Sequence, residues 1–315
     1  MLHPQARALL DLMVERAVPP THTLTPGEAR SAYRDRRGFT QPDAQPVASV
    51  QDLQAAGPHG AIALRLYKPL HAPAAQAALL PVLVYFHGGG WVIGDLDTHD
   101  TLCRQLSNAA RCAVLAVDYR MGPEHRFPCA VDDCIAATRW CRDNAARLAL
   151  DPARIAVGGD SAGGNLAAVV AIAARDAGDL PLRFQLLIYP ATDMRRQAPS
   201  HGTNGQGYLL TSDTIAWFHD HYIEDPAFDS DWRASPLLCG TLGGLPEALV
   251  ITAGYDPLRD EGLMYSQRLS EAGVCCHHVC FERQIHGFIT MGRVIGEADA
   301  AVALSAAMLA RALHA

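Results

Sequence analysis

Apolar positions recur along this chain in two rhythms, and the switch between them outlines its architecture. Residues 4–17 repeat apolar side chains at helical spacing, and a Pro/Thr/Gly-rich connection through Pro26 leads to a second short helical stretch ending near Arg37. Two strand candidates follow at 47–53 and 61–67; in the second, Ile62, Leu64 and Leu66 alternate in the manner of a half-buried antiparallel strand. From Pro81 the pattern changes, because Val82-Leu83-Val84-Tyr85-Phe86 is a continuous apolar run of strand length, as expected of a strand covered on both faces. Comparable runs lie at 113–117, 155–157, 184–189, 248–252 and 276–281, with helical patterns at 99–110, 129–147, 162–175, 260–272 and 297–314. This alternation predicts an α/β fold with a mostly parallel sheet and helices on both faces.

One stretch breaks the alternation. Between Pro190 and Pro246 turn residues abound, sheet-type runs are missing, and a single helical segment stands near 213–222. It reads as an insertion at the carboxyl ends of the strands, where open α/β sheets place their ligands. The expected organisation is therefore an N-terminal cap portion (1–45), a first core portion (46–190), a cap insertion (191–245) and a second core portion (246–315).

Composition narrows the picture further. The chain has 315 residues, 49% of them hydrophobic, which is ample for a large core. Its net charge of −7 and its scattered arginines, with Lys68 the sole lysine, exclude a nucleic-acid footprint. No run approaches the ~18 apolar residues of a membrane span, and the first twenty residues carry Asp11, Glu15 and Arg16 rather than a signal-peptide core. Nine cysteines without paired metal-type spacing suggest free thiols in a reducing compartment, and the expected location is cytoplasmic. The cluster Cys275-Cys276-His277-His278-Val279-Cys280 lies in a strand-like run and is read as strand packing, so no metal is expected.

The chemistry centres on Gly158-Gly159-Asp160-Ser161-Ala162-Gly163-Gly164, which follows the run Ile155-Ala156-Val157 and opens a helix. Its G-x-S-x-G pattern, between strand and helix, is that of a nucleophile elbow, a tight turn that raises the serine oxygen above the sheet. The glycines leave room where backbone segments approach closely. His87-Gly88-Gly89-Gly90-Trp91 directly follows the 82–86 strand, and its exposed amides suit an oxyanion hole; the expected donors are Gly89, Gly90 and Ala162. His87 itself reads as a structural histidine. Of fourteen histidines, His286 stands just beyond the last strand candidate and would reach the same sheet edge as Ser161. His219 and His221 are two apart on a helix and cannot share a face. Asp256 follows the 249–252 run and lies between Ser161 and His286 in the chain order this architecture requires. Asp260 and Glu261 read as first-turn residues of the next helix, and Asp225, Asp229 and Asp231 as solvent-facing residues of the insertion.

Together these stretches resemble the bacterial hormone-sensitive-lipase family of carboxylesterases (family IV), within the α/β-hydrolase superfamily. The matching segments are His87–Trp91, Asp118-Tyr119-Arg120, Pro123–Pro128, Gly159–Gly164, Ser235-Pro236-Leu237, Asp256–Gly262 and His286-Gly287-Phe288, in order over about two hundred residues. The resemblance implies a triad of Ser161, Asp256 and His286, hydrolysis of short- to medium-chain acyl esters without a cofactor, and a cap over an acyl pocket. It implies scaffolding for 118–128, with Glu124 and Arg120 as a pair. Asp160 matches the GDSAG type, whose members are often dimeric, so a homodimer is open to this chain. An amidase or other acyl hydrolase, and a non-catalytic small-molecule receptor of the same fold, are the alternatives; the receptors lose part of the triad, whereas all three residues are present here. Trp217, Phe218, Tyr208 and Leu209 either shape the pocket or fill the cap core, and core is the expectation.

Overall fold

Residues 1–70 and 79–315 are described by the computed structural model. In chain order, helices α1 (Pro4–Glu15) and α2 (Pro26–Thr40) precede the hairpin β1 (Ser49–Gly57) and β2 (Gly60–Lys68). The core then runs β3 (Leu80–Phe86), α3 (Asp100–Ala110), β4 (Ala113–Asp118), α4 (Cys129–Asp143), α5 (Ala145–Leu148), β5 (Leu150–Asp160), α6 (Ala162–Ala177) and β6 (Leu182–Ile188). Residues 191–245 contain α7 (Ser200–Thr203) and α8 (Ser212–Tyr222), and β7 (Glu247–Tyr255), α9 (Arg259–Glu271), β8 (Cys276–Ile285) and α10 (Glu297–His314) follow.

The eight strands form one sheet in the order β1-β2-β4-β3-β5-β6-β7-β8. β2 is antiparallel to β1 and β4, and every pairing from β4 to β8 is parallel, which bears out the α/β expectation. Side chains alternate between the two faces as the pleat requires. Val82, Val84, Phe86, Val157 and Val250 join Val131, Leu166, Val170, Tyr265 and Leu269 of α4, α6 and α9 on one side. Leu83, Tyr85, Ala156, Leu186 and Ile251 join Leu102 and Leu106 of α3, Ala301 and Leu309 of α10, and Ala6 and Leu9 of α1 on the other.

Local chemistry sets the element ends. α2 begins at a capping box in which the Thr25 side chain accepts from the Glu28 amide while Glu28 accepts from the Thr25 amide, and Pro26 sits where a missing N–H costs nothing. The helix expected over 129–147 is divided in two: Asn144 leaves the helical conformation and its side-chain amide donates to the Trp140 carbonyl at 2.9 Å. β5 extends well beyond the three apolar residues that signalled it, because Gly158 and Gly159 are held on both sides by β3 and β6.

Register decides where the functional loops emerge. Phe86 lies beside Val117 and Gly159, Asp160 beside Ile188, Ile188 beside Ile251, and Tyr255 beside Ile285. The residues that follow β3, β5, β7 and β8 therefore leave the sheet along one edge.

Candidate active site

At that edge, Ser161 stands between β5 and α6 with φ 57° and ψ −118°, a strained conformation for a residue bearing a Cβ. The strain is held by neighbours: the Ser161 amide donates to the Ile188 carbonyl at 2.8 Å. A Cβ on Gly159 or Gly163 would press into the Phe86 carbonyl, which explains why glycine occupies both positions.

His286 follows β8 directly, and its Nε2 lies 2.9 Å from Ser161 Oγ. Its Nδ1–H donates to Asp256 Oδ2 at 2.7 Å, which leaves the Nε2 lone pair facing the serine hydroxyl. Asp256 is fully buried, and its other oxygen accepts from the Leu258 amide at 2.9 Å. Asn204 of the insertion donates to the backbone carbonyls of Gly254 and Asp256, pinning the loop that carries the carboxylate. The Tyr189 ring packs against the imidazole, with centroids 4.6 Å apart.

Gly89 and Gly90 take φ values of 127° and 58°, and both line the cavity above Ser161. Among the described residues, no group accepts a hydrogen bond from the amides of Gly89, Gly90 or Ala162. Ala162 is also the first residue of α6, where the helix presents its positive end. The arrangement brings a serine hydroxyl, an imidazole, a buried carboxylate and amides without an acceptor to one point, a set of groups with which acyl transfer can be carried out.

Beneath this loop lies a buried polar network that the sequence reading did not resolve. Asp160 Oδ1 accepts from Tyr85 Oη–H at 2.7 Å and from the Gly88 amide at 3.0 Å, and His99 Nε2 lies 3.2 Å away. Burial works to raise the Asp160 pKa, but the charge and hydrogen bond of His99 and the Tyr85 hydroxyl outweigh it and hold the carboxyl below its ordinary value. His87 fits its expected structural role: Nδ1 meets the Gly88 carbonyl at 2.9 Å, the ring stacks on Tyr119, and burial lowers its pKa to about 4.

Three expectations need correction. Glu124 does not pair with Arg120: Arg30 of α2 takes Glu124 in a two-pronged ion pair, and Arg120 pairs with the buried Asp133. Glu261 stands in the first turn of α9, as expected, and is buried there, accepting from the Thr192 amide at 2.6 Å and lying 2.6 Å from His201 Nε2. Desolvation raises its pKa even though His201 opposes the shift. Tyr208, Leu209 and Phe218 pack against apolar clusters but also line the cavity, so they are not core alone, whereas Trp217 packs with Phe218 and Val92 away from the cavity lining. Of Asp225, Asp229 and Asp231 only Asp225 is exposed; Asp229 meets His219 at 2.7 Å and Asp231 pairs with Arg233.

The cavity holds about 1130 Å³ and runs from Ser161 and His286 to apolar walls supplied by Leu10, Met13, Leu24 and Tyr208. His201 and Glu261 are among its polar lining residues.

Residues 83–290 match the profile of a family described by the alpha/beta hydrolase fold. The chain belongs to that family. This α/β hydrolase is 45% identical over 262 residues to the carboxylic ester hydrolase LipN of Mycobacterium tuberculosis, covering 81% of this chain and 68% of that one. It is 40% identical over 285 residues to an ethyl acetate hydrolase of Pseudomonas putida, covering 90% and 89% of the two chains. Among solved structures, LAE6, an alpha/beta hydrolase enzyme from the metagenome of Lake Arreo, superposes with a TM-score of 0.95 at 45% identity, covering 100% of this chain and 99% of that one. The hyperthermophilic esterase of Pyrobaculum calidifontis does so with a TM-score of 0.91 at 37% identity, covering 98% of each chain. This α/β hydrolase is an ester hydrolase, as its sequence motifs imply. Among the described residues, no helix is long and apolar enough to cross a membrane.

Proposed function

We propose that this carboxylic ester hydrolase works through Ser161, His286 and Asp256 on short- to medium-chain acyl esters. His286 takes the Ser161 proton as Oγ attacks the ester carbonyl. Asp256 fixes the imidazole tautomer and stabilises the imidazolium. The amides of Gly89, Gly90 and Ala162 hold the oxyanion, and His286 then protonates the departing alcohol. Water repeats the sequence on the acyl-enzyme and frees the acid.

The observation that carries this reading is the chain of contacts from Asp256 through His286 to Ser161, at 2.7 and 2.9 Å, at the floor of the cavity. The cavity volume slightly exceeds the ~300–1,000 Å³ typical of small-molecule sites, and its apolar walls favour an alkyl chain beyond acetate. Residues 1–45 and 191–245 act in this reading as two halves of a cap, supported by cavity-lining residues from both, such as Met13 and Phe218.

The test is a panel of p-nitrophenyl esters from acetate to laurate, with Ser161→Ala as control. Turnover is expected to fall by at least about 10⁴-fold in the variant. Equal rates for wild type and variant would remove Ser161 from the mechanism, and preferential cleavage of p-nitroanilides would replace the esterase with an amidase. A sharp rise in rate above the solubility limit of a long-chain triglyceride would overturn the chain-length assignment. A cytoplasmic location accords with nine free thiols among the described residues. A homodimer accords with the GDSAG motif; a monomeric sedimentation profile would overturn it.

A further inference from the structure

At the opposite end of the sheet from Ser161, three residues at the starts of two neighbouring strands converge on one nitrogen. Cys275 immediately precedes β8 and stands two residues before His277, on the same side of the chain, and parallel register sets Ala248 beside Cys276 and thus Glu247 next to both. His277 Nε2 lies 3.6 Å from Cys275 Sγ and 3.1 Å from Glu247 Oε1, and the three ligand atoms all fall within 4.8 Å of one another. A tetrahedral ion with Zn–S near 2.3 Å and Zn–N and Zn–O near 2.1 Å requires separations of about 3.4–3.6 Å between its ligands, so the trio stands close to the edges of that tetrahedron.

We propose that Cys275, His277 and Glu247 form a zinc-type metal site. The mixture of thiolate, imidazole and carboxylate suits a borderline-soft divalent ion and is unsuited to Mg²⁺ or Ca²⁺, which seek oxygen alone. Three ligands leave the fourth position to water. The neighbouring cysteines do not compete: Cys276 points to the other face and packs against the core, where burial pushes its thiol up to about 12. Arg311 of α10 does compete, for it pairs with Glu247 and lies 3.3 Å from His277 Nε2. Its half-exposed guanidinium can swing into solvent when the ion arrives, so it acts as a resident counter-cation that weakens the site.

The position sets the consequence. Glu247 opens β7, and Asp256 follows the far end of that strand, roughly 30 Å away at ~3.3 Å per residue. The ion would tie the start of β7 to the start of β8 and stabilise the fold by binding the native state, leaving ester turnover unaltered.

The experiment titrates ZnCl2 into the reduced, metal-free full chain by calorimetry, with thermal unfolding and Co²⁺ absorption in parallel. One equivalent should bind, raise Tm, and with Co²⁺ give a thiolate-to-metal charge-transfer band. Cys275→Ser and His277→Gln should each weaken binding at least about tenfold, Cys275→Ser should abolish the band, and Arg311→Gln should strengthen binding. Retained esterase activity in every variant verifies that each has folded. Absence of stoichiometric uptake by the wild type would overturn the proposal, as would affinity unchanged in either ligand variant or weakened in Arg311→Gln.

Discussion

The carboxylate of Asp160 accepts the amide hydrogen of Gly88 at 3.0 Å, joining the turn that carries Ser161, the proposed nucleophile, to the loop that carries the expected oxyanion donors. The same oxygen takes the Tyr85 hydroxyl, so the two loops share one buried anchor. Asp160→Asn keeps the size but loses the charge facing His99 and one acceptor site. The expected outcome is a fall in kcat of at least about tenfold with little change in KM, because the donors serve the transition state more than the substrate. Steady-state kinetics on p-nitrophenyl butyrate measure this; a rise in KM alone would show that the anchor shapes binding rather than chemistry.

Gly163 permits close contact between α6 and the end of β3. The Cβ of Gly163→Ala would collide with the Phe86 carbonyl, a backbone atom that cannot rotate away. The expected cost is about 1–3 kcal/mol or more, as for overpacking in a dense core. Chemical denaturation reads it directly. A variant with an unchanged midpoint would mean that strand and helix separate more easily than their packing suggests.

Phe218 of α8 lies over Gly90 and lines the cavity, so its ring limits the space beside the glycine loop. Phe218→Ala should raise kcat/KM for laurate relative to acetate by about tenfold, in line with the worth of one apolar contact in a specificity pocket. Parallel changes for both esters would place the ring outside the substrate path.

His87 gives a pH signature. Its pKa is depressed by burial to about 4 in the folded chain, against about 6.5 when unfolded. Between those values the unfolded chain holds a proton that the folded chain lacks. Stability from this group is therefore complete above about pH 6.5 and declines as pH falls toward 4, by an amount on the order of 3 kcal/mol. Urea midpoints of wild type and His87→Gln should converge as pH drops through that window. A constant gap between them would mean that His87 is protonated in the fold without cost.

The parts of the site that were legible in the sequence are those delivered by strands. Ser161, Asp256 and His286 each stand just past an apolar run, and a parallel sheet carries the ends of such runs to one edge whatever the intervening sequence. Gly89 and Gly90 were readable for the same reason. Glu261, Asp160 and Glu247 acquire their partners from segments distant in the chain: His201 lies sixty residues from Glu261, and Tyr85 seventy-five from Asp160. Spacing carries no trace of such contacts. The insertion was least legible because some of its apolar side chains serve a cavity as well as a core, so Tyr208 and Phe218 could not be separated from Trp217 by residue type.

The packing of α1 has a consequence for how the protein is made. Ala6 and Leu9 lie in the same apolar cluster as Ala301 and Leu309 of α10, the Gln5 side chain accepts from the Gly296 amide, and the His3 amide donates to the Arg283 carbonyl. The helix is thus secured by residues that leave the ribosome long after it does. At about 5–20 residues per second, the apolar stripe of α1 waits on the order of 15–60 s for its partners. Leu10 and Met13 of that helix also wall the cavity, so a nascent chain cannot fix that wall in place until α10 has been made.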